Sequence, residues 1–281
     1  MTIAPSRTET PLFFASAGTP AYAVLHEPHS PRPGAPAVVH CHSLGVEHVT
    51  LYRTEVLAAR AAAEAGCFTL RYHARGHGDS GGSTADVTFE RLVEDALGAA
   101  DELSRRTGAT RFVWAGARFG ALVACAAAAR RPGAAGLALW EPALRGIDHF
   151  RGALRAYLFS LVAEGLKPDA NVDQLIERVK RDGWVDVRGY ALHRPLLVSA
   201  ETLDLASLLP IPIPPVMLVQ IQARQQLSKG YERLIAEWEQ RRATVTTLRI
   251  AHEAAFHYMS NPAWESPELS AAHGEWLRGL A

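Results

Sequence analysis

Residues 111–121 read RFVWAGARFGA, and this stretch decides the fold. RFVWAG (111–116) is a short apolar run with the β-branched and aromatic bias of a buried strand. From residue 118 the chain reads RFGALVACAAAARRPG, an alanine-rich helix that stops at Gly133. Strand passes into helix across Gly116-Ala117-Arg118-Phe119-Gly120, a tight turn bracketed by glycines. Outward from it the same alternation continues. GLALWEP (136–142) predicts the next strand, 88–107 an amphipathic helix capped by Thr88 or a neighbour, and CFTLRYH (67–73) a strand. Residues 49–65 carry helical spacing up to Gly66, AVVHCH (37–42) is a buried strand, and 11–27 read as two short strands around a Gly-Thr-Pro turn. Strands and helices alternating with short joints imply an α/β fold whose central sheet is mostly parallel, with right-handed crossovers.

The rhythm breaks after Pro142. Residues 143–210 hold helical pieces and run into the proline-dense LLPIPIPP (208–215), after which a strand (216–222), a helix (230–241), a strand (244–250) and a last helix within 266–280 restore the pattern. The expected organisation is a core of residues 1–142 and 213–281 interrupted by a helical cap at 143–212. Composition supports an ordinary globular chain: 281 residues, 48% apolar and 21% charged. The 29 basic and 29 acidic side chains balance, so nothing electrostatic favours nucleic acid or an anionic membrane as partner. No apolar stretch is long enough to span a bilayer. Cys41, Cys67 and Cys125 are few and scattered, which fits a reducing cytoplasm, and the N-terminus shows no basic-then-apolar secretory pattern.

The motifs resemble those of the α/β-hydrolase superfamily. His42-Ser43-Leu44-Gly45 stands where members carry the His-Gly-x-x loop that donates one oxyanion-hole amide. RGHGDS (75–80) is similar to the Arg-Gly-His-Gly-x-Ser loop after the fourth strand, and WAGARFGA (114–121) to the nucleophile elbow. More narrowly, PLFF, VVHCHSLGVEH, HARGHGDSGG and WAGARFGALVA look like the exosortase-system-associated hydrolases. The resemblance implies an α/β-hydrolase fold with flanking helices and an inserted cap. It also implies a nucleophile in Gly-x-Ser-x-Gly. Here that residue is Arg118. A guanidinium stays protonated and offers no lone pair, so serine esterase chemistry from this elbow is excluded.

Candidate residues follow from position and chemistry. Arg118 at a helix N-terminus suits an anionic group, or is held internally by Glu141 or Glu47. Glu141, in LALWEP, occupies one of the superfamily's two acid positions and can orient an imidazole; the other position, after VMLVQIQ, has no carboxylate. His257, in HYMSNP, resembles the histidine loop of dienelactone-hydrolase-like members, with His252 as the other candidate base. The amides of Leu44 and Phe119 are the expected oxyanion donors, beside His42, Ser43 and Glu47. Ser43, Cys41 and Ser80 are candidate relocated nucleophiles; the alternative for Cys41 is a core position, and for Ser80 a turn hydroxyl. His40, His42, His73 and His77 cluster near strand ends, yet no ligand spacing completes a metal site, and no cofactor is implied. Three readings stand. One is an enzyme without the serine, in which a His/Glu pair works on a small carbonyl or carboxylate compound while Arg118 holds an anionic group. Another is a degenerate hydrolase that binds a ligand or partner. The third is a hydrolase with a moved nucleophile.

Overall fold

The computed structural model describes residues 7–224, 226–252 and 264–280. Its sheet begins with an antiparallel hairpin, β1 (Arg7–Ser16) and β2 (Thr19–Pro28). The turn falls at Ala17 and Gly18, both at positive φ (45° and 80°), the geometry that matches the twist of paired strands. Six further strands are β3 (Ala37–Cys41), β4 (Thr69–Tyr72), β5 (Phe112–Ala117), β6 (Ala134–Trp140), β9 (Val216–Gln222) and β10 (Val245–Ala251). The order across the sheet is β1-β2-β4-β3-β5-β6-β9-β10, and from β4 to β10 every pairing is parallel. Every residue of β3, β4 and β5 is buried, because helices cover both faces.

Alternation along β5 shows the two layers. Phe112 and Trp114 point into the core shared with α2 (Phe89–Thr107) and α3 (Phe119–Arg130). Val113 and Ala115 face the opposite side, where α1 (Val46–Glu64) packs against α8 (Pro267–Gly279). Helix α7 (Lys229–Gln240) joins β9 to β10. Thr88 caps α2 as the sequence suggests, its hydroxyl accepting from the Arg91 amide. Helix α1 starts three residues earlier than its apolar spacing predicts. Gly45, at φ 59°, makes the cap, so Glu47 falls in the helix's first turn and not in a preceding loop. From β3 the chain crosses to β4 on one side and then to β5 on the other. This reversal opens a crevice beyond the C-terminal ends of β3 and β5, where such sheets bind ligands.

Between β6 and β9 no segment joins the eight-stranded sheet. That stretch holds α4 (Gly146–Ala163), α5 (Val172–Asp182), the antiparallel pair β7 (Trp184–Val187) and β8 (Tyr190–His193), α6 (Arg194–Ala200) and a 3₁₀ turn at Leu205–Leu208. It is therefore not purely helical, as the sequence reading had it. The hairpin forms because Arg188 and Gly189 both adopt positive φ (57° and 86°) and the Asp186 carboxylate accepts from the Gly189 amide at 3.0 Å. Among the described residues no helix is long and apolar enough to cross a membrane.

Candidate active site

The elbow keeps its shape without its nucleophile. Arg118 sits at φ 55°, ψ −116°, a strained conformation for a side-chain-bearing residue, which the surrounding structure must enforce. Its amide donates to the Trp140 carbonyl at 2.9 Å. The flanking glycines are steric requirements: a Cβ on Gly116 would lie 2.4 Å from the Gly120 carbonyl oxygen, and one on Gly120 2.3 Å from the Cys41 carbonyl oxygen. The turn is thus pressed onto the end of β3, as the fold demands.

The guanidinium is engaged by the protein itself. Arg118 Nε donates to Glu47 Oε1 at 3.0 Å, and Nη1 donates to the Glu141 carbonyl at 3.0 Å. Only 16% of the Arg118 side chain is exposed, and Glu47 is buried. The other oxygen of Glu47 stands 3.5 Å from His149 Nδ1 on α4. The His149 ring is held between Phe119 and Phe150, with centroids 5.1 and 5.0 Å away. Arg118, Glu47 and His149 therefore form a line of neighbouring polar groups from the elbow, through the first turn of α1, to the segment between β6 and β9. Glu47 appeared in the sequence reading as an internal partner for Arg118. His149 did not appear at all, since nothing local distinguishes it from any helical histidine.

Glu47 and His149 open onto a cavity of about 210 Å³. The core contributes Leu44, Val46, His48, His77 and Thr84; α4 contributes His149, Phe150, Ala153 and Tyr157; the hairpin adds Val187, Arg188, Tyr190 and Leu192. The walls are mainly apolar, with a few convergent polar groups, the usual make-up of a small-molecule site. Burial holds the His48 imidazole down to about 3 and lowers His77 as well, so both are neutral near pH 7.

Several expected site residues have structural work instead. Glu141 is paired not with Arg118 through its carboxylate but with β9, accepting from the Ile221 amide and from Gln222 Nε2, each at 2.6 Å. Burial raises its carboxyl above the usual range. Each oxygen thus accepts one hydrogen bond from the end of β9. The His252 amide donates to the Gln222 carbonyl at 3.3 Å, and its ring packs on Trp264. His257 lies outside the described residues. The Phe119 ring is buried core, while Leu44 reaches the cavity. His42 accepts from the Ala74 amide through Nε2 and so donates through Nδ1 to the Ser43 carbonyl, stapling two loops as a neutral ring whose basicity burial suppresses.

The relocated nucleophiles fare no better. Ser43 is fully buried, and its amide and hydroxyl both donate to Glu55 Oε1 at 3.2 Å. Ser80 donates to the His73 carbonyl and accepts from the Tyr22 amide, a turn hydroxyl. Cys41 is buried, and desolvation pushes its thiol up to about 12, which suppresses the thiolate a nucleophile needs. His40 is likewise buried, against the Trp140 ring. Among the described residues no three His, Cys, Asp or Glu side chains are placed to hold a metal ion.

The model of the serine aminopeptidase S33 family matches residues 32–189, more than half of the chain. The chain belongs to this α/β-hydrolase family. Solved structures agree on the fold. Est1E from Butyrivibrio proteoclasticus, described in complex with ferulic acid, superposes with a TM-score of 0.67 at 19% identity over 96% of this chain and 98% of that one. Proline iminopeptidase from Mycobacterium smegmatis gives 0.62 at 15% identity over 96% and 98%. An esterase from Pyrococcus furiosus gives 0.62 at 17% identity over 98% and 92%. No curated protein matches the sequence. At these identities the structural likeness speaks for the fold, and the chemistry has to be argued from the site.

Proposed function

We propose that this S33-family member is an acid–base enzyme acting on a small carbonyl compound without a covalent acyl intermediate. Residues 143–212 act as a cap that completes its site. The observation that carries this is the Arg118–Glu47–His149 chain ending at the cavity wall. His149 is the catalytic residue in this reading: it takes a proton from an attacking water, or from the carbon beside the carbonyl, and returns it to the product. Glu47 orients the imidazole and stabilises the imidazolium. Arg118 fixes Glu47 and does not bind substrate, a role revised from the sequence expectation because its Nε and Nη1 are already committed. The Leu44 and Phe119 amides would hold the developing oxyanion. A positioned acid–base group of this kind contributes roughly 10²–10⁴-fold in rate.

The test uses p-nitrophenyl acetate and butyrate. Wild type is expected to turn them over without a burst and to resist a fluorophosphonate. His149→Gln, confirmed as folded by its melt, should lose about 100-fold or more. Unchanged turnover in that variant, or inactivation by the fluorophosphonate, overturns the proposal. The commitment of Arg118 to an internal ion pair favours a second reading, a degenerate hydrolase that binds without turnover. Absence of any turnover above buffer would move the assignment there.

A further inference from the structure

The cavity wall carries a second arginine. Arg188 stands at the tip of hairpin β7–β8, in a two-residue turn whose first position, at φ 57°, ordinarily takes Asn, Asp or Gly. Among the described residues that line the cavity it is the only one with a permanent positive charge. Its Nη1 donates to Glu164 Oε1 at 2.8 Å. Glu164 follows the last turn of α4, seven residues beyond the cavity-lining Tyr157. The pair lies toward solvent, with side chains 30% and 51% exposed. At the inner end the cavity presents Glu47 and neutral imidazoles, which do not welcome an anion. Between the ends the walls are apolar: Val46, Phe150, Ala153, Leu192 and Leu196.

We infer that Arg188 recognises a carboxylate on an amphipathic substrate, whose apolar chain fills the cavity while the carboxylate displaces Glu164 at the rim. The inference rests on this cavity being the active site and adds a substrate class to that reading: a carbonyl compound with a carboxylate at its far end. An exposed ion pair contributes little, so exchanging the Glu164 carboxylate for a ligand carboxylate is nearly neutral. Burial of the apolar chain then supplies the affinity. The volume admits on the order of a dozen water-sized groups, which suits a chain of medium length. The sequence reading placed an anion holder at Arg118; the structure seals that guanidinium and presents this one.

Calorimetry with octanoate and octanamide tests it. Wild type should bind the carboxylate roughly two- to five-fold more tightly than the amide, the range for an ion pair near solvent. Arg188→Ala should erase that preference, and Arg188→Lys should keep only part of it because the fork is lost. Glu164→Gln, which removes the competing carboxylate, should tighten octanoate several-fold and leave octanamide unchanged. If Arg188 were only a surface partner of Glu164, that last variant would change neither affinity. Equal binding of acid and amide by wild type, a preference that survives Arg188→Ala, or no binding of either probe overturns the inference. Calorimetry reads binding alone. A carboxylate preference without ester turnover would therefore sink only the acid–base reading, and turnover without the preference only the role of Arg188.

Discussion

Two arginines in this chain sit at positive φ, 55° at Arg118 and 57° at Arg188, and their side chains meet opposite fates. Arg118 lies where β3, β5 and β6 end together. A carboxylate and a carbonyl are already in place for it, and water is largely excluded. Arg188 tips a two-stranded ribbon and has one solvated partner. A buried cation must be satisfied by the protein, because leaving it unpaired is expensive. A cation at a rim can trade partners at almost no energetic loss. The two predict different responses to mutation and to pH.

The largest effect is expected at the elbow. Arg118→Ala removes the donor 3.0 Å from Glu47 Oε1 and should destabilise the fold by about 3–5 kcal/mol. Adding Glu47→Gln removes the stranded charge and should recover a large part of that loss. Denaturant midpoints for the two single variants and the double variant measure the coupling. A loss below about 1 kcal/mol would make Arg118 no more embedded than Arg188, and the contrast would collapse.

A smaller effect concerns a buried acid behind the same loops. Desolvation raises Glu55 from 4.5 to about 7, against the donors on Ser43. A raised folded-state pKa means the folded protein holds a proton that the unfolded chain has released. The associated stability is complete below about pH 4.5 and is lost as pH rises to about 7. The loss is on the order of 3 kcal/mol. Glu55→Gln cannot ionise. The variant should therefore match wild type most closely at pH 5, gain on it up to about pH 7 and level off toward pH 8. His48 and His273, depressed by burial to about 3 and 4, act in the opposite sense: their stabilisation is lost as pH falls below 6.5. They are common to both proteins and cancel in the comparison. Parallel stability curves from pH 5 to 8 would show that Glu55 is ionised throughout.

These contrasts also explain what could be read from sequence. The core elements were legible because period-2 and period-3.6 patterns report burial directly, as in β5 and in α2 with its Thr88 cap. The inserted segment was legible only as a break in rhythm. Its hairpin, WVDV-RG-YALH, alternates about a two-residue turn, yet lies between two helical patterns that draw it into a helical reading. At the site, Arg118 and Glu47 were visible because the elbow singles out one and the other stands two residues beyond the His42–Gly45 motif. His149 was not, because its role depends on α4 folding back over the first turn of α1, a relation no local spacing encodes. Arg188 was hidden for the same reason.

The smallest effect completes the contrast. Arg188 and Glu164 form an exposed pair, and a double-mutant cycle with Arg188→Ala and Glu164→Ala should return a coupling of only about 0.2–1 kcal/mol. Raising the salt concentration should shrink it further, since charges in solvent are screened within roughly a Debye length, about 8 Å at physiological ionic strength. Arg188→Ala brings no offsetting contribution from the backbone. Alanine does not relieve the positive φ, so the left-handed turn keeps its strain and no stabilisation from that source should mask the pair. A coupling above 2 kcal/mol would mean that the guanidinium is held as firmly at the hairpin tip as at the elbow. It would then be unavailable to a ligand, and the distinction between a sealed and an exchangeable arginine would fail at the rim and not at the core.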